Sequence, residues 1–338
     1  MSSTPALLAP VQPVLRILDN SDQLAKLVAK PGDCCNGSSQ GTIERVIRLL
    51  HGLSEIASQY RLIICDVWGV LHNGLQAFAG AVDALERFRA GGGGVVLLTN
   101  SPNPGRFVSG QLDRLGVTRN AYDAIVSSGD ATVSILVKRA DASLFHLGPP
   151  DETALFEEVF ALTGKLPKKV PLKQAQFVLC TGLVDPMRET PADYDAILAA
   201  MLARNLELLC ANPDILVEDG GQIFYCAGAI AERYARAGGK VIMAGKPFTP
   251  IYARALELAR ATGHRLARND AILAIGDTIA TDIKGAQMQG FDSLFVTAGI
   301  HRKELHGNLT NALDQTLLRQ FMEAGDCMPT AVIPELVW

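Results

Sequence analysis

The chain has 338 residues, 48% of them hydrophobic and 20% charged, with a net charge of -4. That length allows one large domain or two modest ones with a sizeable core. It shows no basic block of the kind that binds nucleic acid and no acidic tail, and every apolar run breaks well before the roughly 18 residues of a membrane span.

Residues 1–10 lack the basic region and long apolar core of a secretion signal, so a cytoplasmic protein is expected. The seven cysteines have no metal-like spacing. Cys65, Cys180, Cys210 and Cys226 lie in or beside apolar runs and read as buried reduced thiols.

Residues 1–42 are rich in Pro, Ser and Gly and read as an N-terminal extension with one helical patch near 21–29. Ile43, Val46, Ile47, Leu50, Leu53, Ala57 and Tyr60 recur at helical spacing, which predicts a helix leading into the first strand. That strand is the run Leu62-Ile63-Ile64-Cys65, which ends in a lone carboxylate, Asp66, with Gly69 close behind. A buried parallel strand delivers an acid to the carboxyl edge of an α/β sheet in this way. Phe78 to Ala90 is amphipathic and stops at four successive glycines, 91–94. Val95–Thr99 and Ala124–Ser128 are two further strands, with helices ending near Gly116 and Ala140. The alternation predicts a right-handed parallel sheet.

From about 142 to 212 the rhythm changes to a smaller α+β unit with strands at Phe177–Thr181 and Glu207–Ala211. Thr190-Pro191-Ala192-Asp193 marks a helix start within it. The first pattern then resumes. Gly228–Ala237 is helical, and Val241–Pro247 leads into a helix ending by Gly263. Ala271–Gly276 delivers a second acid, Asp277, to the same edge, and Ser293–Thr297 is the last clear strand. A terminal helix places Leu313, Leu317 and Phe321 on one face, and the apolar Ala331–Trp338 packs on the core or a neighbour. The expected organisation is a discontinuous core domain, 43–141 and 213–338, interrupted by a cap at 142–212.

The groups at the carboxyl edge are Asp66, Thr99, Asn100, Lys246, Asp277 and Asp282. Converging carboxylates repel unless a hard cation lies between them, and Mg²⁺ accepts one or two carboxylates plus phosphate and water. The Thr99 hydroxyl, the amides near Asn100 and the Lys246 ammonium are suited to holding a phosphate. A free oxygen of Asp66 can attack phosphorus, giving an aspartyl-phosphate that water hydrolyses.

Asp66-Val-Trp-Gly-Val-Leu71, Leu98-Thr99-Asn100, Gly245-Lys246-Pro247 and Gly276-Asp277-Thr-Ile-Ala-Thr281-Asp282 resemble, in order, the four motifs of the haloacid dehalogenase (HAD) superfamily. The cap between the second and third motifs, and Ala211-Asn212-Pro213-Asp214, resemble its class IIA (NagD-like) branch. Gly52–Ala57, Trp68–Gly74 and Ala298–Leu305 are similar to a bacterial subgroup described only as HAD-type hydrolases. The resemblance covers about residues 43 to 305. It implies a Rossmann-like, doubly wound parallel sheet with an inserted α+β cap of C2 type. It also implies a Mg²⁺-dependent phosphatase of a small phosphorylated metabolite. Asp66 is then nucleophile and metal ligand, and the backbone carbonyl of Trp68 and the Asp277 carboxylate are further ligands. Thr99 and Asn100 bind the phosphoryl group, Lys246 neutralises charge, and Asp282 supports the metal or Lys246.

One position departs from the family. Its phosphatases carry a second Asp two residues after the nucleophile, a general acid/base, where this chain has Trp68. Losing such a group typically costs about 10²–10⁴ in rate. His72 is a candidate substitute donor, and the Trp68 side chain a candidate wall of the cleft. Asp185, Arg188 and Glu189 form a cap loop that either selects substrate or is simply solvated, and His301 and His306 read as exposed polar residues. Two other activities remain open: binding of a phosphorylated ligand or partner without turnover, and cleavage of a C–P or C–halogen bond. The sequence also leaves a homodimer open.

Overall fold

A computed structural model describes residues 14–18, 44–219, 221–264, 266, 271–307 and 312–338. The core strands are β1 (Val14–Leu18), β2 (Glu44–Leu49), β3 (Leu62–Cys65), β4 (Gly94–Thr99) and β5 (Ala124–Ser127). Between and after them run helices α1 (Ala79–Ala90), α2 (Gly105–Leu115) and α3 (Ser128–Lys138). The inserted unit contains β6 (Ser143–Leu147), α4 (Ala154–Thr163), β7 (Lys168–Lys169), β8 (Phe177–Cys180), α5 (Asp195–Ala203) and β9 (Glu207–Cys210). A hairpin follows, β10 (Leu216–Asp219) and β11 (Gln222–Tyr225), then α6 (Ala227–Arg236) and β12 (Lys240–Met243). The chain then runs through α7 (Thr249–Ala261), β13 (Ile272–Gly276), α8 (Lys284–Gln289), β14 (Asp292–Val296), α9 (Arg302–Leu305), α10 (Gln315–Ala324) and β15 (Ala331–Ile333).

The main sheet has eight strands in the order β1-β2-β15-β14-β13-β3-β4-β5, and every pair is parallel. β3, β4 and β13 are buried along their whole length. A sheet covered on both faces needs continuous apolar runs rather than alternation. On one face α1 and α2 pack with the C-terminal tail, including Leu336 and Trp338. On the other, Ile251, Tyr252 and Ala255 of α7 pack with Ala286 of α8. The chain leaves β3 toward β4 and β5, and returns later to fill the other side with β13 and β14. Ligands bind at such a switch point, beyond the carboxyl ends of the strands.

The second sheet is also parallel, in the order β12-β9-β8-β6-β7. Its last strand corrects the expected cap boundary. Lys240–Met243 pairs with Glu207–Cys210, so the inserted sheet extends past residue 212 to Met243. α6 packs there too, since Ile230 and Tyr234 share a core with Leu208 and Leu198. The return to the core pattern expected at 213 therefore comes only after Met243, and the strand Lys240–Met243 was not anticipated.

The helix expected between 43 and 60 is absent. β2 takes its place, followed by two single 3₁₀ turns at Leu53–Glu55 and Ala57–Gln59. β2 lies between β1 and β15, so partners from both ends of the chain override the local helical spacing. β1 itself lies inside the segment read as an extension, while the helical patch near 21–29 falls outside the described residues. The apolar C-terminus is β15, inserted between β14 and β2. On α10 the buried face is Leu318 and Met322, and Leu317 is exposed. Among the described residues no helix is long and apolar enough to cross a membrane. Cys65, Cys180, Cys210, Cys226 and Cys327 are buried free thiols.

Candidate active site

The parallel register of β3 with β13 pairs Cys65 with Ile275, so both strands end together. Asp66 follows one end, its N–H donating to the Ile275 carbonyl at 2.8 Å, and Asp277 follows the other. Asp277 Oδ2 accepts the Ile300 N–H at 2.8 Å, and its Oδ1 accepts from Thr278 Oγ1 at 3.1 Å. Gly69, at φ 78°, passes so close that a Cβ there would lie 2.0 Å from Asp277 Oδ2. A Cβ on Gly299 would lie 2.1 Å from the same oxygen. The glycine after the first acid is thus needed by the second, because only Gly combines that φ with that approach.

Lys246 closes the group. Its Nζ donates to Asp66 Oδ1 at 2.6 Å and to Asp282 Oδ1 at 2.7 Å, with the lysine only 3% exposed. Asp282 sits in a π-type turn at Ile279–Ile283, and its other oxygen accepts the Thr278 N–H. Asp66, Asp277 and Asp282 each offer an oxygen within 4.8 Å of the others. Burial, then the neighbouring Asp282, push the Asp66 carboxyl well above the usual carboxylate range against the pull of Lys246. The same two causes, in the same order, push Asp277 up to about 7. Burial alone would lower the Lys246 pKa, but Asp282, Asp66 and Asp214 outweigh it and hold the ammonium charged. Three buried acids against one lysine leave excess negative charge, and an all-oxygen donor set suits a hard divalent cation.

Thr99, at the end of β4, lines the cavity above these groups, and its Oγ1 accepts the Ser101 N–H at 3.1 Å. Asn100 does something other than the expected phosphate binding. Its Oδ1 accepts the Lys246 N–H at 2.7 Å, and its Nδ2 donates to Asp214 Oδ1 at 2.8 Å and the Lys246 carbonyl at 3.3 Å. Both ends of the amide are occupied in fixing the Lys246 backbone. Gly245 makes room, since a Cβ there would lie 2.2 Å from Asn100 Oδ1.

The cavity measures about 320 Å³ and is lined by Asp66, Trp68, Thr99, Glu218, Lys246, Asp277 and Arg302, among others. A second, outer cavity of about 430 Å³ adjoins it and shares Trp68, Thr99, Asp214 and Val217. Trp68 therefore stands between the two. Its indole N–H donates to the backbone carbonyl of Glu218 on β10, tying the loop after β3 to the hairpin. Gly74 of that loop presses on the same hairpin, where a Cβ would lie 2.0 Å from Asp219 Oδ1.

His72 is not at the cavity. It is fully buried behind Trp68, ring edge to ring face at 4.7 Å, and its Nδ1 accepts the Gly74 N–H. Burial pushes its pKa down to about 4, so it is neutral near pH 7. The cap loop agrees with the solvated alternative, with the Arg188 side chain 85% exposed. Asp185 pairs with Arg188, and Glu189 accepts from the Asp185 N–H and Tyr194 hydroxyl, so these charges hold the loop itself. Pro186 and Met187 of that loop face the outer cavity instead. His301 contacts Glu304, and His306 is buried against Thr297 rather than exposed. Glu218 and Asp214 are site residues that motif reading passed over; the signal for Asp214 was Asn212-Pro213-Asp214 itself.

The description "Haloacid dehalogenase-like hydrolase" matches residues 63–160, and "HAD-hydrolase-like" matches residues 243–323. The ribonucleotide monophosphatase NagD of Escherichia coli K12 is 26% identical over 242 residues, 70% of this chain and 88% of that protein. A haloacid dehalogenase-like hydrolase from Brucella suis superposes with a TM-score of 0.73 at 39% identity, covering 85% of this chain and 100% of that one. A glycerol phosphate phosphatase from Mycobacterium tuberculosis, solved with calcium, gives a TM-score of 0.54 at 25% identity over 72% of this chain and 68% of that one. With this coverage, the chain belongs to the haloacid dehalogenase-like hydrolases, in their NagD-like branch.

Proposed function

We propose that the chain is a phosphomonoesterase that moves the phosphoryl group of a small metabolite onto Asp66. The observation that carries this reading is Lys246 bridging Asp66 and Asp282 beside Asp277 at the floor of a cavity. The two named relatives, a ribonucleotide monophosphatase and a glycerol phosphate phosphatase, support it. A free oxygen of Asp66 attacks phosphorus in line with the leaving oxygen. Lys246 pulls Asp66 toward its ionised form and faces the developing charge, Asn100 fixes its backbone, and the Thr99 hydroxyl donates to a phosphoryl oxygen. Asp66, Asp277 and the main-chain carbonyl of Trp68 would hold Mg²⁺, which supplies further charge neutralisation at the phosphoryl oxygens.

The cavities also bear on the leaving group. Among the described residues no Lys or Arg lines the outer cavity, whereas Glu152, Asp214 and Asp219 do. In the inner cavity Lys246 is committed to Asp66 and Asp282, and Arg302 to Glu335 at 2.7 Å. A second phosphate or carboxylate on the substrate would meet uncompensated negative charge there. The substrates are therefore monoesters with a neutral or cationic leaving group. The engaged Lys246 also argues against a Schiff-base route to C–P cleavage, because it is the lysine lining the inner cavity and its ammonium is held charged.

The test is a screen of purified protein with Mg²⁺ against varied phosphomonoesters, with Asp66→Asn as control. Turnover of a neutral-leaving-group ester, lost in the variant, supports the reading. No turnover of any ester, together with tight binding of a phosphorylated ligand, would replace it with a binding role.

A further inference from the structure

We propose that Glu218 is the general acid and base of this site, taking over from the carboxylate that Trp68 replaces. The inference rests on the phosphatase reading above. Four carboxyl and guanidinium groups line the inner cavity besides Glu218, and each is otherwise engaged. Asp66 is bonded to Lys246, Asp277 to Ile300 and Thr278, and the half-buried Asp214 accepts from the Asn100 amide. Arg302 is tied to Glu335 and to the Ala298 carbonyl, and a guanidinium does not release its proton near neutrality. Asp282 lies beneath, with one oxygen on Lys246 and one on Thr278. Glu218 lines the same cavity, is part-exposed, and its carboxyl has no hydrogen-bond or ion-pair partner among the described residues.

The indole explains how a residue 150 positions downstream reaches the site. Trp68 Nε1–H donates to the Glu218 backbone carbonyl, so the replacing side chain anchors the strand that carries the substitute carboxyl. Trp68 is on this account a positioning residue. β10 pairs with β11 in register Glu218↔Ile223, which stiffens the support.

The chemistry balances. As the Asp66 oxygen bonds to phosphorus and the ester P–O bond breaks, its electron pair stays on the leaving oxygen. The protonated Glu218 gives that oxygen its proton. The Glu218 carboxylate then takes a proton from water, whose oxygen attacks phosphorus. Phosphate leaves, Asp66 is restored as a carboxylate and Glu218 is again protonated.

The experiment compares wild type and Glu218→Gln on an alkyl phosphate and on 4-nitrophenyl phosphate, whose phenolate leaves without a proton. In the variant, steady-state turnover of both should fall by about 10²–10⁴. With 4-nitrophenyl phosphate a rapid burst of about one nitrophenolate per enzyme should survive, because only the hydrolysis of the aspartyl-phosphate needs the base; the alkyl ester should give no burst. A burst lost in step with the steady-state rate would mean a structural role and overturn the inference. Wild-type rates on both esters in the variant would overturn it while leaving the phosphatase reading intact. A wild-type protein inert to both esters would overturn the two together.

Discussion

Replacing Lys246 by Met removes a cation while keeping most of the side-chain volume. The ammonium sits 2.6 Å from Asp66 and 2.7 Å from Asp282 and is 3% exposed, with Asp277 in the same cluster. Removing one partner of a buried ion pair leaves its counter-charge without compensation, at about 3–5 kcal/mol. At about 2.1 cal/mol/K of unfolding entropy per residue, a chain of 338 residues loses about 1.4 °C per kcal/mol, so the melting temperature should fall by roughly 4–7 °C. Urea unfolding in the presence of EDTA reads the cost directly. Lys246→Met/Asp282→Asn, with one fewer stranded carboxylate, should recover part of it, since residues in one network couple. Activity should fall by about 10²–10³, as when one preorganised electrostatic group is removed. If Lys246→Met unfolds at the wild-type midpoint and retains its rate, the buried lysine neither offsets the acids nor serves the phosphoryl group.

Gly69→Ala should lower kcat sharply and destabilise by more than about 1–2 kcal/mol, the left-handed penalty alone, because its Cβ would displace Asp277; thermal melting and kinetics check both. Trp68→Phe keeps an aromatic ring but loses the N–H donated to Glu218, so it should cost about 0.5–1.5 kcal/mol and speed proteolysis within the hairpin at 216–225. Chelation of divalent cations should abolish turnover and lower the melting temperature, with Mg²⁺ restoring both. His146 in the cap is held near pKa 4 by burial and then by Lys169, below the ordinary histidine value of 6.5. The unfolded chain therefore binds the proton more readily, and stability is lost as pH falls from about 6.5 to 4. His146→Gln should flatten that limb in unfolding experiments run across the window, and an unchanged limb would refute the assignment.

What was legible in the sequence was local. Leu62–Asp66 and Ile272–Asp277 announce themselves because a buried strand must be an unbroken apolar run and its terminal acid interrupts it. Gly245-Lys246-Pro247 marked the lysine, and the glycine proves to be the space that Asn100 needs. What was hidden depends on pairing across long separations. β2 matched a helical spacing but is held as a strand by β1 and β15. The segment holding β12 was assigned to the core by its position in the chain, yet it is a strand whose partner is β9. Asn100 sat in a phosphate-binding motif, and only its contacts with Lys246 and Asp214 reveal a structural duty. The Trp68–Glu218 bond crosses from one domain's loop to a hairpin beyond the motif pattern, so no spacing rule points to it.

The central claim is that Asp66 carries the phosphoryl group. The most direct measurement is mass spectrometry of protein quenched in acid during turnover with Mg²⁺ and a phosphomonoester. The account predicts a phosphoryl adduct on the peptide containing Asp66, absent from Asp66→Asn, which should be folded and inactive. An adduct on another residue, or full turnover by Asp66→Asn, would contradict it.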